Sequence, residues 1–186
     1  MQILFIVLGF IGLTMTFFGV KWTVTSFKAK EISCFPFNNL KKEFEIKRPG
    51  QYTLSIIGGG FVGNTSNFHI SVKTKDHQKI VDYEENFMRP RFRKNGKIGV
   101  EYLQFKISDS GLYKVEIENP EDLIVKKSIV KTKQFFQAPL AVENIEISIG
   151  ETIPISKKLF GIIFLVLGVN ISVWGIILGI NPQLFG

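Results

Sequence analysis

The residues with the most chemically suggestive spacing lie in YTLSIIGGGFVGNTSNFHISV, residues 52–72. Gly58, Gly60 and Gly63 stand in the Gly-x-Gly-x-x-Gly order that cradles a pyrophosphate when it follows a strand and opens a helix. The residues that come next do not suit a helix. Asn64-Thr65-Ser66-Asn67 favour a turn, and Phe68, Ile70 and Val72 then alternate with His69, Ser71 and Lys73 as a strand does. A dinucleotide fold needs a crossover helix at this point and an acidic residue on the next strand. Asp82 falls at a suitable distance, but no helix fits between. The spacing predicts a strand-connecting loop that binds no NAD, NADP or FAD, and no cofactor at all.

Other chemistry is sparse. His69 points outward from its strand, His77 falls in the turn Asp76-His77-Gln78-Lys79, and no metal-ligand spacing joins them. Cys34 is the sole cysteine, so it has no disulfide partner in the chain; as a nucleophile it would need a histidine brought across the fold. Glu31-Ile32-Ser33 before it makes a poor lipobox. Glu84-Glu85 reads as a solvated turn and not as an acid/base pair. The concentrated feature is Met88-Arg89-Pro90-Arg91-Phe92-Arg93-Lys94, where three arginines at spacing two share one face of a strand that Pro90 confines to a sheet edge. Arg89, Arg91, Arg93 and Lys94 suit phosphate or carboxylate partners, or else protect the edge by charge.

Whatever these residues do, the ends of the chain hold them at a membrane. All 39 charged side chains lie between Lys21 and Lys158, which leaves 2–20 and 159–180 as uncharged stretches of 19 and 22 residues. Each is long enough to cross about 30 Å of hydrocarbon as a helix. The first lacks a basic n-region and a small-x-small cleavage site, so it reads as an uncleaved helix. The expected organisation is a transmembrane helix over 1–20, a linker over 21–30, a β-domain over 31–152, a linker over 153–158, a second transmembrane helix over 159–180 and a short tail over 181–186. Small residues form a stripe on each helix: Gly9, Gly12, Thr16 and Gly19 on the first, and Gly161, Gly168, Ser172, Gly175 and Gly179 on the second. Such stripes let helix backbones approach closely, so the two helices are expected to pack on each other. Asn170 lies on another side of the second helix, where a polar amide needs a partner within the pair or on a second protein.

The middle carries an internal repeat. FEIKRPGQYTLSIIG (44–58) and FKISDSGLYKVEIEN (105–119) match at a constant offset of 61: Phe44 with Phe105, Ile46 with Ile107, Gly50 with Gly111, Tyr52 with Tyr113, Leu54 with Val115, Ile56 with Ile117. The period of two on each side of the turn predicts strand, turn, strand in both copies, as two similar hairpin halves. Asn95-Gly96 predicts a tight turn into a strand over Lys97–Ile107, whose apolar phase shifts near Tyr102 and calls for a β-bulge there. Further strands are expected over Leu123–Val130, after the Asn119-Pro120-Glu121-Asp122 turn, and over Glu143–Ile149. The fold class expected is all-β: a two-sheet antiparallel β-sandwich of about eight strands inserted between two transmembrane helices. Asp109-Ser110-Gly111-Leu112-Tyr113-Lys114-Val115 resembles the tyrosine corner of immunoglobulin-like domains, in which the Tyr hydroxyl ties the strand back to the preceding turn. Val115 stands where antibody-type domains carry cysteine, and galactose-binding-like and other membrane-tethered sandwiches have similar Gly-x-Tyr corners. The resemblance implies a sandwich architecture and no particular activity.

The formal charge of +7 suits an anionic lipid surface or an acidic partner, and helices at both ends make a membrane partner nearer than nucleic acid. The reading is of a non-enzymatic, two-pass protein of the plasma (inner) membrane whose β-sandwich binds or shields another membrane-associated component. Accessory subunit of a membrane complex and immunity protein against a membrane-acting toxin are two versions of this. The alternative is a lipid-headgroup-binding module built on the arginine strand. Lys21, Lys28, Lys30, Lys157 and Lys158 all flank the helices on the domain side, which argues for a cytoplasmic domain. That rule is weakest for so long a connection, and likeness to sandwich ectodomains favours the extracytoplasmic side.

Overall fold

The computed structural model describes residues 2–27, 30–65, 67–75, 79–181 and 183. Lys28, Ser66, Asp76, His77, Gln78 and most of the tail after Asn181 lie outside the described residues. Among those described, the elements are α1 (Gln2–Phe27), β1 (Glu31–Pro36), β2 (Lys41–Ile46), β3 (Gly50–Ile57), β4 (Phe61–Asn64), β5 (His69–Thr74), β6 (Tyr83–Glu85), β7 (Arg91–Lys94), β8 (Lys97–Ile107), β9 (Gly111–Glu118), β10 (Leu123–Lys126), α2 (Lys131–Phe135), β11 (Glu146–Thr152) and α3 (Ile155–Ile180). The chain is mostly β in antiparallel sheets, with an apolar helix at each end. It divides into two compact units: the two long helices, and Lys30–Thr152.

In the first unit, α1 and α3 are each 26 residues long and each is long and apolar enough to cross a membrane. Both exceed the charge-free cores, because Lys21–Phe27 and Ile155–Lys158 continue the helices through segments read as linkers.

In the second unit, β1-β11-β3-β8 form one sheet, with β6 and β7 both paired to the far edge of β8. A second sheet runs β2-β9-β5, and β10-β4 makes a third. Eleven strands thus replace the eight expected. The additional ones are β1, β4 and β6: β4 falls in the glycine run, and three-residue β6 is too short to alternate visibly.

The repeat also pairs differently from two hairpins. β2 lies in the three-stranded sheet and β3 in the six-stranded one, so the first copy crosses between sheets, and β8 and β9 cross back. The copies pair with each other. Gly50 faces Ile107 and Tyr52 faces Phe105, while Ile46 faces Gly111 and Phe44 faces Tyr113. Given the offset of 61, each pair is the image of another, and the two copies are related by a pseudo-two-fold. The Phe of each copy packs on the Tyr of the other, with centroids 6.2 Å apart for Phe44 and Tyr113 and 6.0 Å for Tyr52 and Phe105. Both tyrosine corners form: Tyr52 Oη donates to Arg48 O at 2.5 Å and Tyr113 Oη to Asp109 O at 2.8 Å. The rings, with Leu54, Ile56, Val115, Ile117 and Ile147, belong to one buried cluster fed by both larger sheets. The bulge sits at Tyr102: Leu54 pairs with Leu103 and Ser55 with Glu101, leaving Tyr102 unpaired on β3.

Candidate functional site

The structure brings the glycine run and the arginine run together. β7 covers only Arg91–Lys94, and Arg89 stands before it at φ +42°. Arg91 and Arg93 stand two apart on β7, whereas Arg89 lies before the strand on which all three were expected. A positive φ at a non-glycine residue is not something alternation in the sequence announces. Arg89 Nη1 donates to Val62 O, and its guanidinium lies over the Tyr102 ring, 5.3 Å from the centroid. Arg91 Nε donates to Gly60 O at 2.7 Å. Two of the three arginines therefore clasp carbonyls of the glycine segment, and Arg93 alone is exposed without a partner among the described residues. Burial, with the Glu85 charge adding to it and Arg89 opposing it, pushes the Tyr102 hydroxyl up to about 12.

The glycines serve close packing. Gly58 has φ +143°, and a Cβ there would come 2.9 Å from Asn144 O; a Cβ on Gly59 would come 2.8 Å from Val125 Cγ1 and from the Lys126 carbonyl carbon. The amides that a phosphate would need are taken: Gly58 N–H donates to Ile98 O and Gly60 N–H to Lys127 O. Gly63 lies in β4, paired with Ile124.

Lys94 is also drawn inward. It pairs with Glu31, whose carboxylate accepts from Ser148 Oγ at 2.7 Å. Burial works against the Glu31 charge, but the bonds from Lys94 and Ser148 together prevail and hold its carboxyl below the usual range. Cys34 donates to Glu146 Oε2 at 3.6 Å. Partial burial pushes the thiol up, and Lys94 only partly offsets this, the opposite of the lowering that activates a cysteine nucleophile. His69 is exposed beside Tyr83, with ring centroids 6.2 Å apart. Among the described residues, no group of three or more His, Cys, Asp and Glu side chains could hold a metal ion.

In the helix unit the small residues form the contact between antiparallel α1 and α3. Gly12 and Gly19 meet Ser172 and Leu165, and Gly9 meets Gly175. A Cβ on Gly168 would lie 2.6 Å from Thr16 N, and one on Gly19 2.6 Å from Leu165 N, so the backbones themselves touch. Gly161 faces Trp22 and Thr23, and Gly179 faces Ile6. Thr16 and Ser172 return their hydroxyls to Gly12 O and Val169 O of their own helices, at 2.9 and 3.0 Å. Asn170 is exposed away from this seam, in an open groove of about 300 Å³ with Phe5, Leu8, Ile171, Trp174 and Leu178. Its Nδ2 donates to Val166 O at 2.7 Å, and its Oδ1 has no partner among the described residues.

Sequence reasoning missed a loop of the β unit. Residues 127–140 expose Ile129, Val130, Phe135 and Phe136 beside Lys127, Lys131 and Lys133. The expected strand over Leu123–Val130 stops at Lys126, and the adjacent Phe135-Phe136, which no alternating pattern contains, was the available signal. No known protein-family model matches the chain, and no curated protein is similar to it.

Proposed function

We propose that the chain is a non-enzymatic, two-pass membrane protein that docks, through its helix pair, on another membrane protein. In this reading the two larger antiparallel sheets of the β unit form a sandwich, with β10-β4 as a third, small sheet, and the unit binds or shields that component. No nucleotide or nucleic acid belongs to this reading. Accessory subunit and immunity protein against a membrane-acting toxin are the two forms it takes.

Asn170 carries the reading. The seam needs small residues on one side of each helix, and the other sides are covered by large apolar side chains such as Phe10, Phe17 and Val166. An amide among them uses one of its two N–H donors on its own helix and leaves Oδ1 without a partner among the described residues. In hydrocarbon, a polar group without a partner is costly and marks a contact. The groove around it, lined by Phe5, Leu8, Trp174 and Leu178, offers an apolar seat for one further helix bearing a donor for Oδ1.

A photo-crosslinking residue placed at Trp174 in cells tests this, with the same residue at Phe10 as the control. The expected result is an adduct with a different protein from Trp174, lost in Asn170→Leu, and lipid adducts from Phe10. Lipid adducts alone at Trp174, an adduct with a second copy of this chain, or a protein adduct indifferent to Asn170→Leu would each reject the reading.

A further inference from the structure

The loop between β10 and β11 is built to hold two phenylalanines out in solvent. Phe135 and Phe136, at the end of α2, are 84% and 92% exposed. The loop beneath them is closed by its own side chains. Lys126 Nζ donates to Gln134 O at 2.6 Å, Gln134 Nε2 to Ser128 O and Ile129 O at 3.2 Å, and Ser128 N–H to Gln137 Oε1 at 2.9 Å. Its far end returns through Leu140 N–H to Val125 O at 2.7 Å, and Gly60 lets Ile129 lie directly against the glycine segment. Ordering a loop costs conformational entropy, and here that cost leaves large apolar surface in water.

The charge around the tip is of one sign: residues 126–137, KKSIVKTKQFFQ, hold four lysines and no acid. Lys126 is spent on Gln134, while Lys131 and Lys133 are exposed beside the phenylalanines. The tip also has a defined place within the β unit. The chain enters at Lys30 and leaves at Thr152 side by side, with Glu151 N–H on Lys30 O at 2.9 Å, whereas the loop's base lies past the opposite ends of β3 and β11, where Gly58 meets Asn144.

We infer that this tip docks on an anionic lipid surface, with Phe135 and Phe136 entering the headgroup boundary and Lys131 and Lys133 meeting the phosphates. Protruding aromatics suit a soft phase that opens around them, and unopposed lysines select its charge. The inference does not depend on Asn170 or on any helix partner.

The test uses the full chain in nanodiscs of neutral phosphatidylcholine, mixed with separate vesicles of phosphatidylcholine with or without phosphatidylserine. Co-sedimentation is expected only with the anionic vesicles, weakened by salt. Phe135→Ser/Phe136→Ser and Lys131→Ser/Lys133→Ser should each lower it by about tenfold. A Phe136→Trp chain gives a reading that does not rest on truncation: its emission should be quenched when only the vesicles carry brominated lipid. Equal binding to neutral vesicles, no binding at all, or binding unchanged in both double variants without quenching would overturn the inference, and the last two would leave the tip to a protein partner.

Discussion

Glu116 sits where β9 would otherwise hold an uncompensated pair of cations. Lys73 and Lys114 face each other across β5 and β9, and both contact Glu116, Lys114 at 2.9 Å, with Lys41 further off at 3.9 Å. Bonds from Lys73 and then Lys114 outweigh burial and hold the carboxyl down at about 2, against 4.5 for a free side chain. A carboxyl depressed on folding adds stability that is fully present above its unfolded value and is lost as pH falls through the folded one. The β unit should therefore keep this contribution from neutrality to about pH 5 and lose it between about 4.5 and 2, on the order of 1 kcal/mol after solvent screening of the ammoniums. Urea midpoints of the full chain in detergent, followed by tyrosine near-ultraviolet circular dichroism at neutral and acid pH, would measure it. Glu116→Gln should lower the neutral midpoint and flatten the acid limb; a variant that keeps the parent's acid limb would reject the assignment.

Between elements, backbone contact sets the rules. Gly12 lies against Ser172, with Gly168 O only 2.8 Å from where its Cβ would stand, and no side-chain rotation can make room there. Gly12→Ala should force α1 and α3 apart at a cost of roughly 1 to 3 kcal/mol, and Gly168→Leu with Gly175→Leu more. Loss of chemical cross-linking between cysteines introduced at Trp22 and Phe164, whose rings meet across the two helices at 5.5 Å, in a Cys34→Ser background, reads this directly; unchanged cross-linking and folded yield would refute the seam. Features governed by local rules were legible in the sequence: small-residue spacing put the stripes on one side of each helix, and the phase shift along Lys97–Ile107 located the bulge at Tyr102. Features governed by partner choice were not. Alternation tells which face of β2 and β3 is buried but not that they join different sheets, because a corner and a hairpin share the same period. The arginines were legible as a cluster, yet their acceptors, Gly60 O and Val62 O, are backbone atoms roughly thirty residues away that no side-chain pattern encodes.

For the whole molecule, the side of the membrane on which Lys30–Thr152 lies decides which partners it can meet. The lysines at both junctions argue for the cytoplasm, but the positive-inside bias weakens for loops longer than about 60 residues, and this connection is twice that. We therefore propose an extracytoplasmic β unit. Cys34 is the natural probe, since it is the sole thiol, lies near the start of β1 and is exposed. Its sulfur is partly shielded even so, which raises the thiol, so reaction with a maleimide should quicken with rising pH. Intact cells or spheroplasts are treated with a membrane-impermeant maleimide at mildly alkaline pH, and a matched sample is treated after lysis in mild detergent. An external β unit gives nearly the same labelling in both samples, and Cys34→Ser abolishes it. Labelling confined to the lysed sample, in a detergent where tyrosine circular dichroism shows the β unit still folded, places Cys34 in the cytoplasm and overturns the proposal. In the lysed sample, a rate that does not rise with pH would mean a thiol already ionised at neutrality, contrary to the partial burial that raises Cys34.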